Sequence, residues 1–224
     1  MIKVGFIGAG DISLLHSEGV YSAENAELTG IWNRTREKAE EKSKLFNCPV
    51  FDSVEDLIKS VDVVYVLTNM ETHHQYARQA IDAGKHVLVE KPTAVTIDEI
   101  EDLKKAAREK GVQVAPVHNY IYEPSVTRAK DLIESGKIGD LVSLYVLYNI
   151  HHPESVAARY PGVIRQILTH HAYCTLYLVG QPNKISCMKA TVNDGTVPQE
   201  NIAMVMMKMK NNALSHLCAS FAAD

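Results

Sequence analysis

The feature that most constrains this chain is its opening segment. Val4-Gly5-Phe6-Ile7 reads as a short apolar strand, passes through Gly8-Ala9-Gly10-Asp11-Ile12-Ser13, and continues as a helix-like run from about Ile12. A strand that turns at glycines directly into a helix is the start of a β-α-β unit, and that context gives a glycine-rich match its physical meaning. Gly8 permits the tight turn and Gly10 lets the backbone approach a pyrophosphate. Ser13, standing where a third glycine is usual, is small enough for the helix to pack on the strand. Exposed N–H groups at the helix start suit phosphate oxygens. Gly8, Ala9, Gly10, Asp11 and Ile12 are thus the predicted cofactor loop; the competing reading is a glycine-rich turn with no ligand.

Strand-like and helix-like segments alternate through about residue 120, the rhythm of a parallel sheet with helices on both faces. Strands are expected near 2–7, 26–32, 49–51, 62–67, 86–90 and 112–116, with helices near 11–22, 35–46, 53–59, 72–83 and 97–110. Beyond Pro124 the order changes to a helix near 124–135, a strand at 141–150, a helix at 163–179, and strands near 184–192, 200–209 and 213–221. The expected division is 1–120, a Rossmann domain, and 121–224, a second and incomplete α/β domain. The whole is an α/β chain whose first sheet is doubly wound and parallel.

At 224 residues, 46% hydrophobic and 22% charged, the chain can bury one full domain core and part or all of another. A net charge of -4 with mixed signs supplies no basic stripe for nucleic acid. Apolar runs are strand-sized, so no membrane span is expected. Met1 leads directly into the first strand, so no signal segment is expected either. Cys48, Cys174, Cys187 and Cys218 are scattered without C-x-x-C spacing, which points to a reducing cytoplasm.

The second strand ends in Trp32-Asn33-Arg34-Thr35-Arg36, where the adenosine ribose of a dinucleotide belongs. A carboxylate there favours NAD, whereas a 2′-phosphate needs a cation without one. Asn33 followed by Arg34 and Arg36 leans to NADP over NAD. The alternative is that both arginines solvate the next helix, with Asn33 or Thr35 as its cap. The fourth strand runs into Thr68-Asn69-Met70-Glu71-Thr72-His73-His74, a loop expected beside the cofactor, with Thr72 as a plausible helix cap. Thr68, Asn69 and His73 are candidate contacts there, although a packing role for the histidines is equally open. Glu90-Lys91-Pro92 follows the run His86-Val87-Leu88-Val89. Pro92 restricts the Lys91 backbone, and a cation beside an oxidised nicotinamide has its pKa lowered, which suits proton relay. The bland alternative is a Glu90–Lys91 surface pair.

Together the Gly8–Ser13 loop, the Thr68–His73 loop, Ala83-Gly84-Lys85-His86-Val87-Leu88-Val89-Glu90-Lys91-Pro92 and Gly136-Lys137-Ile138-Gly139-Asp140 resemble the Gfo/Idh/MocA family, the glucose–fructose oxidoreductase and inositol dehydrogenase group. The resemblance implies a Rossmann domain followed by an α/β domain with an open, mainly antiparallel sheet that forms a homodimer or homotetramer contact. It implies NAD- or NADP-dependent hydride transfer at a secondary hydroxyl or ketone of a sugar, cyclitol or related compound. It also gives Glu90 and Lys91 a place at the cofactor, with Lys91 contacting substrate as well. The family's helical acid/base histidine corresponds to His170, but the aspartate one turn earlier is here Gln166.

Gln166, Thr169, His170, Tyr173 and Tyr177 recur at three- and four-residue spacing, a stripe free of Lys and Glu that reads as the wall of a polar cavity. Lys91 and His170 are therefore the candidate catalytic residues, with Tyr120, Gln166 and Tyr173 as further substrate contacts. Tyr173 reads equally well as a packing residue. His118, Tyr122, His151 and His152 are secondary pocket candidates, and His171, on the apolar side, reads as a core histidine. Three histidine doublets do not make a metal site, because neighbours on a helix diverge. The last strand candidate ends the chain, which would leave an unpaired sheet edge unless a neighbour or further residues cover it; the resemblance implies a longer chain, so the sequence reads as a piece of a longer protein. Two other activities stay open: a nucleotide-binding regulator or catalytically silent scaffold, and a reductase of C=N or C=C bonds.

Overall fold

A computed structural model of the chain describes residues 1–152, 161–192 and 199–222. They form two compact units, Met1–Val117 and a second beginning at His118.

The first unit carries a five-stranded, all-parallel sheet in the order β2-β1-β3-β4-β5. Its strands are β1 (Ile2–Ile7), β2 (Ala26–Trp32), β3 (Val63–Val66), β4 (His86–Val89) and β5 (Val114–Pro116). Helices α1 (Ile12–Ser22), α2 (Arg36–Phe46), α3 (Val54–Ser60), α4 (Met70–Asp82) and α5 (Ile97–Lys110) connect them. Both sheet faces are covered, so Phe6, Ile7, Ile31, Val64 and Val66 are completely buried. The chain leaves β1 for β2 and then returns across β1 to β3, so the carboxyl ends of β1 and β3 mark the switch point where open α/β sheets bind ligands.

Two local expectations are corrected. The strand expected at 49–51 is a single parallel bridge, Ile31 to Val50. Pro49 has no N–H to donate, and Ser53 already accepts the Asp56 N–H as the cap of α3. Helix α4 starts earlier than expected, with Asn69 at its N-cap. Thr72 therefore lies inside the first turn, its hydroxyl 2.8 Å from the Thr68 hydroxyl and 2.9 Å from the Asn69 carbonyl.

The second unit contains α6 (Pro124–Glu134), β6 (Ser143–Asn149), a π-helical segment Ile164–Leu168 that continues as α7 (Thr169–Val179), β7 (Pro182–Ala190), β8 (Ile202–Met209) and β9 (Leu214–Ser220). Its sheet has the order β6-β9-β8-β7, with β6 and β9 parallel and the other two pairings antiparallel. The last strand is thus interior and not an unpaired edge. The apolar positions Leu217 and Ala219 of β9 are buried and belong in the sheet centre, while Lys184 and Lys189 lie on the exposed edge strand β7. One sheet face packs Ala203, Met207, Met209, Leu217 and Ala219 against Val163, Ile167 and Leu168. On the opposite face Tyr145, Leu147, Met188, Met204 and Met206 are exposed.

The helix expected at 163–179 is not uniform. The Thr169 N–H reaches back five residues to the Ile164 carbonyl, and the Thr169 hydroxyl donates to the Arg165 carbonyl at 2.9 Å. The spacing that aligns Thr169, His170, Tyr173 and Tyr177 on α7 does not extend unchanged to Gln166, which lies in the π segment.

Candidate active site

In the first unit the switch point opens into a cavity of about 280 Å³, lined by Gly8, Ala9, Gly10, Asn33, Arg34, Thr68 and Asn69 among the predicted residues. Asp11 and Ile12 start α1 beside it. The two glycines serve different ends. Gly8 has φ +117° and a Cβ there would meet the Leu67 carbonyl oxygen at 2.6 Å, so the close approach of β1 and β3 requires it. A Cβ on Gly10 would meet nothing within 4 Å and would project into open space, as expected where an outside group approaches the backbone. Ser13 is fully buried and its hydroxyl donates to the Gly10 carbonyl at 2.6 Å, fixing helix to loop.

The Asn33 amide is spent on the loop itself. Its Oδ1 accepts the Ala9 N–H at 3.1 Å and its Nδ2 donates to the Thr35 carbonyl at 2.8 Å. Thr35 is the N-cap of α2 by position, without a side-chain capping bond. Arg36 pairs with Glu40 and Asp52, while Arg34 lines the cavity. Lys38, Trp32 and Tyr76 line it too and were not singled out from sequence. Lys38 lies in the first turn of α2, which starts just past the strand end that carries Asn33 and Arg34.

Glu90 and His73 are turned into the protein and are not among the residues lining this cavity. Glu90 is 8% exposed; its Oε2 accepts the Lys91 N–H at 2.9 Å and its Oε1 faces His16 Nε2 at 2.9 Å. Burial pushes its carboxyl up, but the His16 hydrogen bond and charge, with the Lys91 N–H, outweigh that and hold it below the usual carboxylate range. His73 is 1% exposed, with Nδ1 2.8 Å from the Pro92 carbonyl oxygen and Nε2 2.9 Å from the Thr68 carbonyl oxygen. Carbonyls only accept, so the ring donates an N–H in whichever of the two contacts is a hydrogen bond. The Lys91–Pro92 peptide is cis. Burial lowers the Lys91 pKa, and the Glu90 charge opposes that shift.

In the second unit His170, Tyr173 and Tyr120 come together. The His170 Nδ1 and the Tyr173 hydroxyl are 2.5 Å apart, and the Tyr120 ring stacks on His170 with centroids 4.2 Å apart. The Tyr120 N–H donates to the Tyr173 oxygen at 3.2 Å, and His118 stacks on the Tyr173 ring. Burial lowers the His118 pKa. His171 is buried among core residues, 4% exposed, with its pKa pushed down to about 4 by burial. Tyr122 is exposed, and the His152 ring meets the edge of Phe221.

The members of the His73–His74 and His170–His171 doublets diverge. His74, unlike His73, faces Asp102, and no group of three metal-ligating side chains gathers among the described residues. Nor is any described helix long and apolar enough to cross a membrane.

Residues 2–118 match an oxidoreductase family with an NAD-binding Rossmann fold, and residues 126–224 match the GFO/IDH/MocA C-terminal domain. The chain is 34% identical over 146 residues to glucose-6-phosphate 3-dehydrogenase of Bacillus subtilis, covering 65% of this chain and 42% of that enzyme. It is 31% identical over 195 residues to the NADP(+)-dependent scyllo-inositol 2-dehydrogenase IolW of the same organism, covering 83% and 54%. The structure of UDP-N-acetylglucosamine 3-dehydrogenase from Acidithiobacillus ferrooxidans superposes with a TM-score of 0.86 at 26% identity, over 100% of this chain and 68% of that one. The chain spans about half the length of these two Bacillus relatives.

Proposed function

The chain belongs to the GFO/IDH/MocA oxidoreductase family, and on that premise we propose that it moves a hydride between NADP and a secondary hydroxyl or ketone of a sugar or cyclitol. The observation that carries the cofactor reading is the cavity at the β1–β3 switch point, where open space at Gly10 meets two cations, Arg34 and Lys38, with no carboxylate among the lining residues. A 2′-phosphate suits that arrangement, and Asn33 is already committed to Ala9 and Thr35. The relative IolW, whose name carries NADP(+), agrees with it. The bound dinucleotide supplies hydride acceptance and donation; the chain's residues bind, orient and move the proton.

Lys91 is assigned the substrate hydroxyl, its half-buried ammonium suited to sharing a proton because burial lowers its pKa. His170 is assigned the hydroxyl proton. The Tyr173 hydroxyl at Nδ1 and the Tyr120 ring stacked on the imidazole hold its orientation, as a proton-transfer group requires. Tyr120, Gln166 and Tyr173 complete the proposed substrate contacts. The exposed apolar sheet face supports self-association into a homodimer or homotetramer. The free thiols of Cys48, Cys174, Cys187 and Cys218 favour a reducing, cytoplasmic setting.

The test is a panel of sugars and cyclitols, including glucose 6-phosphate and scyllo-inositol, offered with NADP and with NAD and followed at the reduced nicotinamide band. Turnover with NADP preferred is the expected result. Absence of NADPH binding by calorimetry would remove the proposal, and binding without turnover on the whole panel would favour a catalytically silent scaffold.

A further inference from the structure

The Lys91 side chain can be aimed only as well as its backbone is held, and the support comes from an unexpected quarter. Glu90 binds the N–H of its own successor through Oε2 and presents Oε1 to His16, a residue 74 positions away in sequence. An ionised carboxylate only accepts, so His16 Nε2 carries the hydrogen. The His16 ring is itself fixed: it meets Phe6 and Tyr65 edge-on, with centroids 6.4 and 5.6 Å away, and those two rings stack on one another. On the far side His73 faces the Pro92 carbonyl. His16 lies in the second turn of α1, the helix whose first turn is anchored to the glycine loop through Ser13.

We infer that His16 is a positioning residue for Lys91, acting through Glu90, so that one helix both abuts the dinucleotide loop and fixes the lysine. The inference rests on the proposed role of Lys91 for its catalytic consequence, but the bracket itself does not. A buried carboxylate deprived of His16 is free to turn from the Lys91 N–H, and loss of a fixed geometry at a reacting group costs roughly 10- to 100-fold in kcat. The cavity proposed to hold the dinucleotide is lined by neither His16 nor Glu90.

The test compares His16→Ala, His16→Gln, Glu90→Ala and the His16→Ala/Glu90→Ala double variant in the full chain. Three quantities are read: kcat on the panel substrate turned over fastest, NADPH Kd by fluorescence, and the Lys91 amide resonance in substrate-free protein. His16→Ala should shift that amide and lower kcat while leaving NADPH Kd within about 2-fold, since the cavity residues are untouched. Gln, whose amide N–H can replace Nε2–H, should restore both. The double variant should lose no more than Glu90→Ala alone, because both act on one contact. An unmoved Lys91 amide in both His16 variants, or additive losses in the double variant, would overturn the inference. If the amide moves but Lys91→Ala keeps wild-type kcat, the bracket stands and the proposed role of Lys91 fails.

Discussion

His171 is built into the second unit as a neutral ring, and that should make the protein acid-sensitive in a defined window. It is 4% exposed, and its Nδ1 has no hydrogen-bond partner among the described residues. Burial takes its pKa from the ordinary 6.5 down to about 4. Between those values the unfolded chain binds a proton that the folded chain refuses, so stability falls as pH falls from 6.5 toward 4 and changes no further from this group below that. At 1.36 kcal/mol per unit, the loss reaches about 2 kcal/mol at about pH 5, a pH at which carboxylates are still mostly ionised. For a chain of this size that is roughly 4–8 °C in Tm. His171→Leu removes the titrating group and the unpaired nitrogen together, so the variant should be at least as stable as wild type near neutrality. Thermal unfolding followed by far-UV circular dichroism at about pH 7.5 and about pH 5 measures the difference between the two proteins. Stability curves that run parallel across that interval would refute the reasoning, because the wild type must lose about 2 kcal/mol that the variant keeps.

Three further outcomes are expected. Arg34→Ala and Lys38→Ala should each weaken NADPH binding by roughly 10- to 100-fold, the worth of one charge-assisted hydrogen bond, and leave NADH almost unchanged; equal losses for both dinucleotides by titration calorimetry would mean that neither cation reads the 2′-phosphate. Lys91→Met should lower kcat by about 10²- to 10⁴-fold with NADPH Kd nearly intact, and a loss confined to KM in steady-state kinetics would assign Lys91 to binding alone. In nitrogen-15 NMR of ring-labelled protein the His73 ring N–H should be protected from solvent exchange, since the ring is 1% exposed between two carbonyls; rapid exchange would mean that the ring is not held there.

The first sheet was readable because each signal was local: apolar runs of strand length, glycine turns, and Thr96 and Gly111 closing α5 with a capping box and a left-handed residue. The Asn33–Arg34 end of β2 was legible as part of the cavity wall for the same reason, since the residues that line a strand's end are fixed by where the strand stops. What stayed hidden was non-local. Nothing near His16 announces a carboxylate partner 74 residues later. The inward turn of Glu90 likewise depends on His16, which the Phe6 and Tyr65 rings flank, as well as on the N–H of its own neighbour Lys91. Arg36 was ambiguous although its Glu40 partner stood four residues away, because Asp52, the other half of that clasp, arrives from the loop before α3.

The π-helical turn at Ile164–Leu168 has a bearing on how this chain is compared with others. Such a turn is what an α-helix becomes when it absorbs one inserted residue without disturbing its later turns. Counting backward from His170 therefore reaches a different physical neighbour here than in a chain whose helix is α throughout. The direction of Gln166 is thus set by the π turn as well as by its place in the sequence. A chain one residue shorter between Gly162 and Thr169 would present the same α7, and the same histidine, to its surroundings.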